Sequence, residues 1–218
     1  MPGPIPAEGL RTQWSFVPRR LALLSMPSRT PARLAVCALL GAALGSPDVA
    51  RGAQIEGIDF ADAVRIRDAD VPIQGVGLLR YRLFIKAYVA AFYAAGTAPV
   101  QDPLTRTPRR LEIEYFWPLE ATQFAEATRA GLAANLPEAE LASLEPKIVA
   151  LNALYEDIEP GDRYALTYAN GATELSKNGR TLGAIPGDAF GRAVFAIWLG
   201  PSPLSPGLKG QLLSGTPR

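Results

Sequence analysis

The chain is predicted to fold as one α+β domain, an antiparallel sheet with its helices segregated to one face. Three observations carry that prediction. Alternating apolar residues dominate from Ile55 to Trp117, which is the strand period of two. The pattern then switches, with Phe124, Thr128, Leu132 and Leu136 recurring at every fourth position. Beyond that, Asn170-Gly171 and Asn178-Gly179 are spaced as the two-residue turns of a three-stranded meander. Strands that run together, followed by helices and then strands again, describe an α+β sheet better than alternating βαβ units.

The elements follow in order. Ile55 to Ile66 reads as extended chain, with Ile58, Phe60, Val64 and Ile66 in near-alternation, and Asp68 to Asp70 form a polar turn. Val71 to Tyr93 continues as two adjoining strands, GVGLLRYRLFIKAYVAAFY at their heart, with Gly75 and Gly77 marking a bend or bulge. Thr97 to Pro108 is a proline-containing loop. In Arg109 to Trp117, Leu111, Ile113 and Tyr115 share one face; Glu112, Glu114 and Phe116 share the other, where both glutamates are expected to meet solvent.

A helix over about Glu120 to Leu136 presents a narrow apolar stripe with Ala127 and Gly131 beside it. Pro137 suits the start of a second helix, and Pro146 breaks it, so a short helix, a break and then Lys147 to Tyr155 are expected. The last helix runs from about Asp188 to Leu199, with Phe190, Val194, Ile197 and Trp198 on one face, and ends at Gly200.

The N-terminal stretch is not expected to belong to the domain. From Met26 the chain has the layout of a secretory signal: Arg29 and Arg33, then the apolar run Leu34 to Gly45, then small residues toward Ala50 and Ala53. Translation is expected to start at Met26, with residues 1–25 an over-extended start, residues 1–53 removed and 54–218 forming the domain. That places the product in the periplasm or outside the cell. The apolar run is shorter than the roughly 20 residues a permanent span needs. Cys37 lies too early in that run, and behind too large a residue, Val36, to be a lipidation site.

Composition removes whole classes of chemistry. The chain has no histidine, and its single cysteine, Cys37, leaves with the signal. Ser-His-Asp and Cys-His nucleophiles, disulfides and Cys/His metal sites are therefore excluded from the domain, and no metal or cofactor is expected. Acidic residues slightly outnumber basic ones from Gln54 onward and form no basic run, so nucleic acid is not an expected partner.

What remains are cations set among apolar strand residues: Arg80, Arg82 and Lys86. A cation buried in a strand must be paired, because desolvating it alone costs several kcal/mol. Arg80 is thus a candidate anchor for an anionic head group; alternatively, the three cations are a solvated face. Asn135 either points its amide into a cleft or caps its helix. Tyr93 and Tyr115 either line a cavity or belong to the core.

Five pieces together resemble the chalcone isomerase-like family, in particular an exported bacterial branch: IEGIDFADAV, LLRYRLFIKAYVAAFY, FAEATRAGLAANLP, LNALYEDIEPGDRYALTY and NGRTLGAIPGDAFGRAVFAIWLG. The resemblance covers nearly all of the domain, in order. It implies an open-faced antiparallel sheet packed by a layer of helices, with a ligand cleft between the two. It also implies one of two activities. Some relatives close a chalcone to a flavanone by intramolecular addition, using an arginine with Thr, Tyr and Asn; others bind fatty acids through the equivalent arginine and a tyrosine on the next strand.

By strand motif, Arg80 falls on the family arginine, and Tyr88 falls where the fatty-acid binders carry tyrosine. A guanidinium fork and a phenol together suit a carboxylate in a dry site. One departure matters: two residues, Leu78 and Leu79, separate Gly77 from Arg80 where the family has one. Either a bulge absorbs the extra residue or the arginine turns to the other face.

The expected function is therefore an exported binder of a small amphipathic acid such as a fatty acid, with ligand contacts from Arg80, Tyr88, Asn135 and Tyr93. The alternatives are an isomerase of the chalcone-flavanone type, with Arg80 steadying the oxyanion and Tyr88 the carbonyl, or a structural or interaction protein of the envelope that holds no ligand. A small amphipathic or aromatic ligand is the partner in the first two readings.

Overall fold

The computed structural model describes residues 52–81, 84–96 and 102–215. Residues 1–51, which hold Cys37 and all but the last two residues of the segment read as an export signal, lie outside the described residues, as do Arg82 and residues 97–101 of the proline-containing loop.

Every neighbouring pair in the main sheet is antiparallel, and the strands lie in chain order. They are β3 (Ala63–Ile66), β4 (Ala69–Tyr81), β5 (Ile85–Ala94), β6 (Arg109–Tyr115), β7 (Arg163–Ala169), β8 (Ala172–Lys177) and β9 (Arg180–Pro186). Ahead of them, β1 (Ala53–Ile55) and β2 (Ile58–Phe60) form a separate two-stranded hairpin. Among the described residues there are five helices: α1 (Ala121–Asn135), α2 (Glu138–Ser143), α3 (Glu145–Asn152), α4 (Asp188–Leu199) and α5 (Pro206–Leu213).

Strand parity divides the core in two. Ala90, Phe92, Leu111, Ile113, Leu166 and Leu175 face the helices, where α4 supplies Phe190, Val194 and Ile197, α1 supplies Leu132 and α3 supplies Ile148 and Leu151. Val71, Ile73, Val76, Val89, Ala91 and Tyr93 face the other way and pack under Ala53 and Phe60 of the β1–β2 hairpin. The helices are thus on one face, as the patterning predicts, and the opposite face is partly roofed by two short strands.

Several local expectations agree with the structure. Asn170 (φ 50°) with Gly171 (φ 74°), and Asn178 (φ 51°) with Gly179 (φ 79°), make the two hairpin turns of the β7–β8–β9 meander. Pro146 lies in the first turn of α3, and the chain breaks at Leu144. The helix from Asp188 to Leu199 is α4.

Others need correction. Ile55 to Ile66 is not one extended segment: Glu56 (φ 53°) and Gly57 (φ 82°) turn it into the β1–β2 hairpin. The bulge expected at Gly75 is present, between Ile73 and Gly75, but Gly75 and Gly77 serve a second purpose. A Cβ at Gly75 would sit 2.4 Å from the Gln211 carbonyl oxygen, and one at Gly77 would sit 2.6 Å from Leu208, so these residues admit α5 directly onto the strand. Helix α5 itself carries a start signal, Ser205-Pro206, whose Ser205 Oγ accepts from Leu208 N at 3.2 Å. The glutamates of β6 are not solvent-facing: Glu112 is buried, and Arg110 (2.8 Å) and Arg163 (3.4 Å) both pair with it.

Asp162 staples the entrance of β7. Its carboxylate accepts from Glu159 N (2.9 Å) and Asn178 Nδ2 (2.7 Å) and pairs with Lys177 (3.1 Å). These contacts, the Glu159 N–H first, hold its carboxyl below the ordinary aspartate value. A depressed folded value means that the stabilisation is complete above the unfolded value of about 3.9 and is lost as pH falls through the folded one. Asp162→Asn is expected to flatten the acid limb of a plot of Tm against pH; an unchanged limb would count against this role.

Candidate functional site

The hairpin joining β4 to β5 positions the cations singled out above. Leu79 is the cross-strand partner of Tyr88, so both side chains share the helix-facing side. A bulge then falls between Leu79 and Arg80. Its extra residue, Ala87, lies on β5 and turns Lys86 to the face that Arg80 takes by ordinary alternation from Leu79. Arg80 leaves toward the β1–β2 roof, where its guanidinium donates to Glu56 Oε1 at 3.2 Å. Lys86 Nζ, from the other arm of the hairpin, donates to Glu56 Oε2 at 2.5 Å. One carboxylate is thus clasped by two cations, each about half exposed.

Beside that clasp lies a shallow concavity of about 440 Å³, largely open to solvent, bordered by Phe84, Ile85, Phe116 and Trp117 and rimmed by Glu56 and Lys86. Phe84 is 86% exposed and Trp117 42%. The Trp117 indole N–H donates to the Lys86 carbonyl at 2.7 Å, which fixes the ring against the hairpin. Apolar walls with a few convergent polar groups at the mouth are the usual make-up of a small-molecule site.

Tyr88 lies on the opposite side of the sheet and is buried. Its hydroxyl accepts from the Trp198 indole at 3.0 Å, and burial pushes its phenol well above the ordinary range despite that bond. Around it lies an aromatic cluster. Tyr88 meets Tyr115 edge-on at 5.5 Å, Tyr115 meets Phe124 at 5.4 Å, and Phe124 stacks on Tyr155 at 5.3 Å. Burial pushes the Tyr155 phenol up to about 12 although Thr128 hydrogen-bonds it at 2.7 Å. These phenols stay neutral across the physiological range, so they offer hydrogen bonds rather than general-base chemistry.

The remaining candidates are dispersed. Asn135 ties the end of α1 to the chain beyond α4: its amide donates to Gly131 O (2.9 Å) and Ser202 O (2.8 Å) and accepts from Ser202 N (3.0 Å). Tyr93 is fully buried under the roof, and its hydroxyl has no hydrogen-bond partner among the described residues. Burial, with Glu112 nearby, raises its phenol. The structure therefore brings Arg80 together with Lys86 and Glu56 and does not bring it to Tyr88, Asn135 or Tyr93. Glu56 and Trp117 were missed in the sequence. The Glu-Gly pair signals a turn there, and nothing local tells that its carboxylate reaches the next hairpin.

Among the described residues no group of three or more acidic, His or Cys side chains is placed to hold a metal ion, and no helix is long and apolar enough to cross a membrane.

The protein belongs to the chalcone isomerase-like family, whose sequence model matches residues 52–214. Among solved structures it is similar to the Arabidopsis thaliana fatty-acid binding protein AtFAP1, with a TM-score of 0.58 at 14% identity over 77% of this chain and 94% of that one. That likeness is one of fold: the curled seven-stranded antiparallel sheet with its helices packed against it. No curated protein sequence matches the chain.

Proposed function

We propose that the protein is an exported binder of a small amphipathic acid, such as a fatty acid, whose carboxylate is held by Arg80 and Lys86. The observation that carries this reading is the Glu56 carboxylate, clasped by both cations at the rim of the apolar concavity. A ligand carboxylate finds there the donors that already satisfy Glu56, and its apolar part finds Phe84, Phe116 and Trp117. The name of AtFAP1 supports the ligand class, and the Met26 to Ala53 layout supports export.

One experiment tests both halves: intact-mass and organic-extract mass spectrometry on protein recovered from the bacterial periplasm. The expected result is an N-terminus created between Ala50 and Gln54 and a stoichiometric long-chain acid in the extract. A cytoplasmic, uncleaved product or an empty extract would overturn the respective half.

Titration with palmitate then assigns the cations. Arg80→Ala is expected to weaken binding by roughly tenfold or more, the worth of one charge-assisted bond. Glu56→Gln, which removes the competing carboxylate, is expected to strengthen it. Equal affinity in parent and both variants would sink the assignment.

A further inference from the structure

The helix-facing layer holds a cation that makes no salt bridge among the described residues, although Asp102 and Asp188 lie near enough to act on it through space. Arg109, the first residue of β6, is only 1% exposed. Its guanidinium carbon lies 4.1 Å from the Tyr168 ring centroid and 4.7 Å from that of Phe195, so two aromatic rings hold its plane. Nη1 donates to the Arg106 carbonyl at 2.8 Å. Nε and Nη2, both buried, have no hydrogen-bond partner among the described residues. Those two donors are the ones that together form the side-on fork of a guanidinium, the geometry that grips both oxygens of a carboxylate.

The surroundings fit an anion better than a second cation or a purely apolar group. Ala94, Arg109, Tyr168, Thr173 and Ile185 form one cross-strand row through β5 to β9 on the helix-facing side. Within that row the Thr173 hydroxyl is also buried without a partner, while the Tyr168 hydroxyl is committed to Asp188 Oδ1 at 2.7 Å. Burial brings the Arg109 guanidinium down to about 10, which leaves it charged at neutral pH. Leaving such a group unpaired is costly, and an acceptor on its unpartnered edge recovers what burial took.

We propose that Arg109 is a buried carboxylate-binding site, separate from the Arg80–Lys86 clasp and reading a small acid through the Nε–Nη2 edge. The site lies at the end of its strand, so a small acid reaches it by fraying of the sheet's end and not by opening of its centre.

The test follows the side-chain Nε–H resonance of Arg109 by NMR in the full chain, assigned by its disappearance in Arg109→Lys. Acetate is the probe and sodium chloride at equal ionic strength the control. The expected result is a saturable downfield shift of that one resonance with acetate, kept in Arg80→Ala and not reproduced by chloride. No shift, or an equal shift with chloride, overturns the proposal. Arg109→Met adds a readout that needs no ligand. If the charge serves binding, its Tm equals or exceeds that of the parent; a large fall in Tm would make the guanidinium a structural element and overturn the proposal. Because Arg80→Ala is carried in parallel, failure here leaves the first site standing, and failure there leaves this one standing.

Discussion

Phe190→Ala is expected to lower the Tm of the domain by on the order of 10 °C, the conversion of a 3–5 kcal/mol core truncation for a chain of this size. The magnitude follows from position. Phe190 stands in the first turn of α4 with none of its surface exposed, in the same cluster as Leu132 of α1 and Leu166 and Leu175 of the sheet. Helix α4 buries eight of its residues, more than any other helix, and so joins the helical layer to the sheet. Truncating its first anchor removes transfer energy and leaves a cavity that a helix fixed along its whole length closes poorly. Thermal unfolding by circular dichroism checks it, and a fall of only a degree or two would mean that α4 is not the centre of the core.

Gly75→Ala is expected to destabilise the domain by about 2–3 kcal/mol, toward the upper end for overpacking, because the clash is with backbone. The added Cβ would lie 2.4 Å from Gln211 O and 2.7 Å from Leu212 O, and neither atom can rotate away as a side chain does. Helix α5 must lift. With it go the bond from Leu78 N to the Gln211 side chain (2.8 Å) and the bond from Gly215 N to Gln74 O (3.0 Å). Hydrogen exchange should therefore show α5 amides losing protection while those of β7 to β9 keep theirs. Uniform loss, or none, would contradict this local account.

The sheet, the helices and their partition to one face were legible in the sequence because hydrophobic period and Asn-Gly turns are local signals. The contacts of Arg80 were not. Its side of the sheet depends on whether the residue added after Gly77 is accommodated before or after position 80, and that is a matter of pairing with β5. The irregularity that adds a residue to β4 lies upstream, between Ile73 and Gly75, and the pairing it sets puts Leu79 and not Arg80 opposite Tyr88. Glu112 was hidden for a similar reason. On an alternating strand a glutamate reads as solvent-facing, but the β1–β2 hairpin covers part of that face, and Arg110 and Arg163 neutralise the carboxylate beneath it. Arg109 adjoins the clean alternation of β6 and is indistinguishable by type from its neighbour Arg110; only the rings of Tyr168 and Phe195 separate them.

Strands that pair only with their neighbours in the chain also govern how the polypeptide reaches this state. From β3 to β6, and again from β7 to β9, each new strand adds to the one just made, and the longest loop to be closed is the 14 residues between β5 and β6. The exception is the seam between β6 and β7, where Leu111 must find Leu166 and Ile113 must find Tyr164 across the whole segment carrying α1, α2 and α3. Loop-closure entropy is concentrated at that one junction. The expectation is that two halves form quickly and that the zipping of β6 against β7 limits the rate of folding.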